Sequence, residues 1–506
     1  MAKKINKGDE AGSLCIALNA PGMTPMLKAG LGGLAASLRA INKKTGQKWQ
    51  SGVRVPLKNG FATVEETKIT IEWPDDELKN TFEFLWGESF QISNGVIYLP
   101  GAHSRPFDGC DVLPIRFQNG LKATFLQHGK KEIRDEGEEN CLTISIDDKD
   151  INLTYRFFNS YVHKNKLSKI IDHVSRKKPL ELAGWAYPGA AVKITGDKKT
   201  KFKYDPDIAI AAIFSIIGCV SLANERDTSG FLIIPEPSNL IEYARYLSNL
   251  MPAGLLDTAP ASLGDAVMLA EFYSFINGIE VPYISSICGV FMKRMKWSNQ
   301  QNFRASLIST SVKSFDYELY KIIRNKLPPK LTQTEDKKIQ PSYLRAFASD
   351  NLVRDKPWYT DFSTYTLGLL DCSEKEALIA MTDKLPNTER LLVKAVHKAI
   401  ECQLGKISKD HRALGGDLGK RFENEMQRIR LSFSSAKTQD QVRKAFADLW
   451  SKAGMLETMQ NHWEEITAFI LNNKKWTLSR DLALIGLASY KGQEKDKLKE
   501  KHEDTY

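Results

Sequence analysis

Apolar positions alternate with polar ones through much of the first half of the chain, and recur every three or four residues through the second. The segment "SLCIALNA" (13–20) reads as an opening strand, followed by a turn at Pro21-Gly22 and a helix over 25–41. Proline at the first helical position and Thr24 as a cap mark that helix's start. Alternation in "TKITIEW" (67–73), "GVIYLP" (95–100), "LTISID" (142–147) and "INLTYRF" (151–157) predicts strands, interleaved with helices near 76–86 and 111–127. The apolar run "DIAIAAIFSIIGCVSLA" (207–223) falls short of a membrane span and predicts a buried helix. A short strand "GFLIIPEP" (230–237) and helices over 238–250 and 262–277 follow. A hairpin then pairs "GVFMKRMKW" (289–297) with "FRASLISTSV" (303–312) across the polar "SNQQN".

Residues 325–343, "NKLPPKLTQTEDKKIQPSY", gather proline and charge and mark a boundary or surface loop. Past them the strand signals stop. From 363 to 490 apolar residues return with helical spacing, as in Leu391, Leu392, Ala395 and Ile400, and predict amphipathic helices packed as a bundle. The closing "KGQEKDKLKEKHEDTY" mixes both charges with little apolar content and reads as a frayed tail. The expected class is α+β: a mixed α/β region over 1–343, with room for two subdomains, a helical bundle over 344–490, and a charged tail over 491–506.

Three glycines interrupt the first helix in "MLKAGLGGLAASLRAINKKTG" (26–46). They lack the G-x-x-x-x-G-K-[ST] spacing of a P-loop and the third glycine of a dinucleotide fingerprint. Each interior glycine costs roughly 1 kcal/mol of helix stability. The expectation is therefore close packing of a small-residue face onto a sheet.

The 506 residues exceed one hydrophobic core, and 42% hydrophobic with 26% charged residues is a globular balance. Met1 to Lys7 is basic, but Gly8, Asp9 and Glu10 interrupt any apolar leader, so no secretory signal is expected. Seven cysteines lie far apart without a C-x-x-C pair, which predicts free thiols, several of them buried, in a reducing cytoplasm. The eight histidines, His103, His128, His163, His173, His397, His411, His462 and His502, form no metal-ligand spacing. His397 reads as a partly buried helix residue. The acidic "SIDDKD" (145–150) lacks the glycine and terminal glutamate of a calcium loop and reads as a solvated turn. No G-x-S-x-G elbow occurs. No catalytic residue, metal or cofactor is expected.

The charge balance points elsewhere. Against 61 acidic residues stand 71 basic ones, for a net charge of +10. The excess clusters in residues 156–205, which hold Lys164, Lys166, Lys169, Arg176, Lys177, Lys178, Lys193, Lys198, Lys199, Lys201 and Lys203, interleaved with Phe157, Phe158, Tyr161, Trp185, Tyr187, Phe202 and Tyr204. Lysines neutralise phosphates and release counterions, and aromatic faces stack on bases. The alternative is that the aromatics form core and the lysines only solvate it. Smaller groups are 41–48, "LQHGKKEIR" (126–134) with Lys130 and Lys131, and "MKRMK" (292–296). In the bundle, Lys420, Arg421, Arg428 and Arg430 are candidates for one basic face, or simply its wet side.

The order of "LNAPGMTPMLKAGLGGLAASL", an interior "FLIIPEP" and a closing "LALIGLASY" resembles the large subunit of type I CRISPR effector (Cascade) complexes, the I-B-like, myxobacterial-subtype members above all. The resemblance covers most of the chain. It implies a non-enzymatic, cytoplasmic prokaryotic protein with crRNA, target duplex and displaced strand, the Cascade backbone and small subunits, and a helicase-nuclease or transposition proteins as partners. It implies PAM reading by the N-terminal region, help with unwinding, and R-loop support by the bundle. It further implies that Met381 is a candidate internal start for a separate small subunit. The rival readings are an RNA-processing enzyme with a dispersed acid-base site and a protein-only scaffold.

Overall fold

The computed structural model describes residues 12–74, 76–146, 149–182, 185–187, 203–276, 283–297, 300–311, 316–331, 339–365, 370–414 and 417–490. The backbone divides into two compact units, Met1–Phe315 with Pro329–Arg354, and Asp316–Pro328 with Asp355–Tyr506. The helix Tyr343–Leu352 therefore belongs with the first unit, although the proline-rich boundary precedes it.

The first unit holds two antiparallel four-stranded sheets. One runs Gly12–Ala17, Lys68–Trp73, Gly60–Val64, Val53–Leu57 in spatial order. Alternate residues Val53, Val55, Leu57, Ala62, Val64, Ile69 and Ile71 are buried, as a half-covered sheet requires. The strands Val53–Leu57 and Gly60–Val64 are additional to the expected elements; their signal was Lys58-Asn59 ahead of Gly60 between two alternating segments. The other sheet runs Val220–Ala223, Gly230–Pro237, Ile284–Trp297, Gln300–Ser311. Its hairpin takes in Gln300, Gln301 and Asn302, whose polarity had suggested the connection instead.

The run 207–223 is not one helix. Pro206–Gly218 is helical, and the chain then extends into the strand Val220–Ala223. The expected helix at 238–250 likewise divides, into Leu240–Tyr246 and a tighter 3-10 turn Leu247–Leu250. A long hairpin pairs Arg134–Ile146 with Lys149–Tyr161, extending both expected strands well beyond their alternating cores.

The glycine-rich helix, Pro25–Lys43, is capped by Thr24 and buried along most of its length. Its small face packs on another helix rather than on a sheet. A Cβ at Gly30 would lie 1.8 Å from the Ala211 carbonyl oxygen, one at Gly33 would lie 2.5 Å from that of Phe214, and one at Gly218 would lie 1.8 Å from that of Ala29. The helices Pro25–Lys43 and Pro206–Gly218 thus meet backbone to backbone. The Tyr243 ring covers Gly32, where a Cβ would lie 2.4 Å from it, and the Tyr243 hydroxyl donates to the Gly218 carbonyl at 2.5 Å. Leu27, Leu31, Leu34, Ile210, Ile213 and Ile217 seal the contact.

The second unit is helical. Around the helix Trp476–Ser489, whose residues Leu482 to Leu487 are all buried, pack Cys372–Thr382, Asn387–Leu414, Leu418–Ser434, Gln439–Ala453 and Trp463–Leu471. Capping boxes at Asp371/Glu374 and Thr438/Gln441 start two of them. Buried Asp481 accepts the backbone N–H groups of Asp361 (2.8 Å) and Ser363 (3.1 Å), tying an otherwise irregular turn to the central helix.

Replacing Gly33 or Gly218 by alanine should destabilise the chain by about 1–3 kcal/mol through overpacking. Gly87→Ala, on an exposed helical position with no atom within 4 Å of the added Cβ, should be neutral or stabilising by up to about 1 kcal/mol. Urea unfolding of the three variants checks the contrast in sign.

Candidate nucleic-acid interface

Backbone pairing joins the segments that carry several of the basic residues of the first unit. Ile133 accepts a hydrogen bond from the Val162 amide at 2.9 Å, so the turn carrying Lys130 and Lys131 abuts the start of the helical segment Val162–Asn165, Leu167–Ser175. Ile170 and Val174 anchor that segment in the core. The chain leaves it through Arg176, Lys177 and Lys178, with Lys177 in the left-handed region (φ 49°) and the Lys178 amide donating to the His173 carbonyl at 3.0 Å. The strand Leu180–Glu181 follows at once and pairs with Lys203–Tyr204, setting Lys203 opposite Glu181.

Lys130, Lys131, Arg176, Lys177, Lys178 and Lys203 are all exposed. Two have loose partners: Lys131 stands 3.7 Å from Asp135, and the Arg176 guanidinium lies 2.8 Å from Asp172. Exposed pairs of this kind contribute little and exchange readily for a phosphate. Lys198, Lys199, Lys201 and Phe202 lie outside the described residues.

The aromatics divide differently. Phe158, Tyr161 and Tyr187 are core, Tyr187 sharing a hydroxyl hydrogen bond of 2.7 Å with Tyr204. Phe157 lies over Gly95, and Trp185 donates to the Glu181 carbonyl at 2.8 Å with the Lys169 ammonium 5.6 Å above its ring. Among the described residues, Phe158, Tyr161 and Tyr187 offer no face to a base, whereas Phe157, Trp185 and Tyr204 are half-buried.

In the second unit Arg428 is a structural residue. Its guanidinium donates to Glu425 (2.9 and 2.7 Å), to Asp448 and to Gln403 (3.4 Å), clamping three helices together. Arg421 shares a shallow cavity with Asp410, Glu425 and Arg428, a site of mixed charge. Lys420 is exposed and Arg430 half-buried.

The histidines are structural where the sequence left them open. His103 and His163 are buried, and desolvation pushes each imidazole down to about 4. The His103 Nδ1 accepts the Leu99 amide at 3.3 Å, and the His163 ring bonds the Ala186 carbonyl at 2.9 Å. His397 meets the Ser489 hydroxyl at 2.9 Å. Of the seven cysteines, all free, Cys219 and Cys288 are buried, Cys402 is half-buried, and Cys15, Cys110, Cys141 and Cys372 are exposed. Among the described residues no group of three or more His, Cys, Asp or Glu side chains is placed to hold a metal ion, and no helix is long and apolar enough to cross a membrane.

The DevT N-terminal domain model matches residues 15–213, and the DevT C-terminal domain model matches residues 381–506. A CRISPR-associated protein Cas8a1/Csx13 of Myxococcus xanthus (strain DK1622) is 35% identical over 530 aligned positions, which cover 97% of this chain and 91% of that protein. The chain belongs to the DevT family, the Myxococcus-type large subunits of Cascade. The DevT N-terminal match contains the helix Pro25–Lys43, the first part of the helix Pro206–Gly218 and the basic residues from Lys130 to Lys203. The C-terminal match starts at Met381, which is buried in the last turn of Cys372–Thr382.

Two measurements separate scaffold from surface. Arg428→Met should cost about 1–3 kcal/mol in urea unfolding because it strands carboxylates, whereas Lys420→Ala should stay within about 0.5 kcal/mol. The two imidazoles titrate near 6.5 when unfolded and about 4 when folded. The unfolded chain thus binds more protons between those values, so their stabilisation is complete above pH 6.5 and is lost as pH falls towards 4. His163→Gln should flatten that decline in melting temperature.

Proposed function

We propose that this DevT-family large subunit grips the short PAM duplex of target DNA through the cations at Lys130, Lys131, Arg176, Lys177, Lys178 and Lys203, and has no chemistry of its own. The observation that supports the reading is that these exposed cations lie on segments joined by backbone hydrogen bonds, Val162 to Ile133 and Leu180–Glu181 to Lys203–Tyr204, a basic edge on which Asp135, Asp172 and Glu181 also stand. Exposed cations suit phosphates, which fix register while base pairing with the crRNA supplies sequence. Lys198, Lys199 and Lys201 belong to the same proposal.

Within the complex, the duplex held here is opened next to the crRNA, and the displaced strand is steadied by the helical unit, with Lys420, Arg421 and Arg430 as its candidates. The Cascade backbone and small subunits are its neighbours, and a helicase-nuclease or transposition proteins are recruited in the cytoplasm of the prokaryotic cell. This partition matches a rule of RNA-guided targeting, in which protein reads a short duplex feature and its backbone.

Replacing Lys130, Lys131, Lys177 and Lys178 by glutamate in the assembled complex should weaken duplex capture by roughly tenfold or more. It should also make the log–log salt dependence shallower by about 0.9 for every phosphate that is no longer neutralised. Unchanged affinity and slope across a salt titration would contradict the assignment.

A further inference from the structure

The helix Pro25–Lys43 ends beside a cavity of about 300 Å³, lined by Arg39, Lys43 and Lys44 together with Glu88, Tyr98 and Ser104. The charges there do not balance. Lys44 is matched by Glu88. Arg245, close by, is matched by Glu242 at 2.9 Å and donates to the Trp49 carbonyl at 3.3 Å. Arg39 and Lys43 have no carboxylate partner among the described residues. Burial and the Arg245 charge lower the Arg39 pKa, and burial and Arg39 in turn lower that of Lys43. A base in the last turn of a helix complements its dipole, which accounts for Lys43. It does not account for a half-buried arginine one turn earlier, facing another arginine.

A second cavity, of about 340 Å³, shares His103, Ser104 and Ser248 with the first and runs on to Arg105, whose guanidinium pairs with Asp111 at 2.6 Å. The two together form a groove. One end has uncompensated cations and a phenol; the other has apolar walls at Leu113, Pro114 and Phe117. Cations able to fork around phosphate oxygens beside an aromatic wall, in a space of this size, suit a nucleotide rather than a simple ion.

We infer that this groove binds a phosphorylated nucleoside unit, with Arg39 and Lys43 holding the phosphate and Tyr98 flanking the sugar or base. A free nucleotide and a nucleic-acid strand share this chemistry. The site uses none of the residues of the basic edge from Lys130 to Lys203, so it stands or falls separately from the proposed duplex grip.

Fluorescence titration of the full chain with labelled AMP and, in parallel, with a short labelled 5′-phosphorylated oligoribonucleotide tests it. Arg39→Gln combined with Lys43→Gln should weaken binding of the probe by roughly tenfold or more, as expected for loss of charge-assisted hydrogen bonds. The same variant should melt at the same or a higher temperature, because like-charge repulsion is relieved. Lys68→Gln, which removes a partly exposed cation paired with Glu65 at 3.2 Å and outside both cavities, should bind within about threefold of the parent. Equal binding of both probes assigns the site to a terminal or free nucleotide, and binding of the oligonucleotide alone assigns it to a strand; both support the inference. Failure of the parent chain to bind either probe, undiminished binding by the double variant, or a fall in its melting temperature would overturn it. Glutamate substitutions at Lys130, Lys131, Lys177 and Lys178 should leave AMP binding unchanged even where they abolish duplex capture.

Discussion

Two helices touch through their backbones, and the first unit is arranged around that contact. Gly30 and Gly33 on one helix and Gly218 on the other leave no room for a methyl group, because carbonyl oxygens already occupy the place where each Cβ would stand. Three helical glycines cost about 1 kcal/mol each in propensity. The buried leucines and isoleucines flanking the contact offset that cost by excluding water on both sides. The crossing also fixes what lies at its ends. The helix Pro25–Lys43 delivers Arg39 and Lys43 to the groove beside Tyr98, and the helix Pro206–Gly218 follows directly from Lys203–Tyr204, the strand that completes the basic edge.

The cations of this protein fall into two groups by their surroundings. Arg116 reaches the Thr258 hydroxyl at 2.8 Å and pairs with Glu225; Arg345 pairs with buried Asp265 at 2.8 Å; Arg428 is shared between Glu425 and Asp448. Each is buried or half-buried and neutralised, as an interior charge must be. The residues of the basic edge are exposed, and where they have partners these are loose or solvated. Arg39 belongs to neither group, being half-buried without a carboxylate among the described residues. Local neutrality within the fold thus marks Arg116, Arg345 and Arg428 as cations that hold it.

The alternation and the three-to-four spacing made most elements legible, and the α+β class with them, because both periods are set by backbone geometry alone. The sequence failed where tertiary packing decides. The run 207–223 is apolar on every side and so carries no period; past Gly218 it extends because Val220–Ala223 pairs with Gly230–Ile233, a partner invisible to a local reading. The strands Val53–Leu57 and Gly60–Val64 were marked only by an Asn-Gly turn. The basic segment stood out by composition, but its aromatics allowed two roles; burial makes Phe158, Tyr161 and Tyr187 core, while Phe157, Trp185 and Tyr204 stay half-buried. Arg428 looked like its basic neighbours because its carboxylates come partly from another helix. One arginine in a helix has no signature in sequence, so Arg39 could not be singled out; its meaning lies in the absence of a partner within the described residues.

If uncompensated cations on this glycine-packed scaffold exist to meet phosphate, a bound duplex must shield the segments that carry them. Hydrogen–deuterium exchange of the full chain within its assembled complex, with and without PAM duplex, tests this most directly. The account predicts added protection over 128–134, 160–181 and 203–205, with the crossing helices equally protected in both states. Protection confined to the helical unit, with the basic edge exchanging as before, would contradict it.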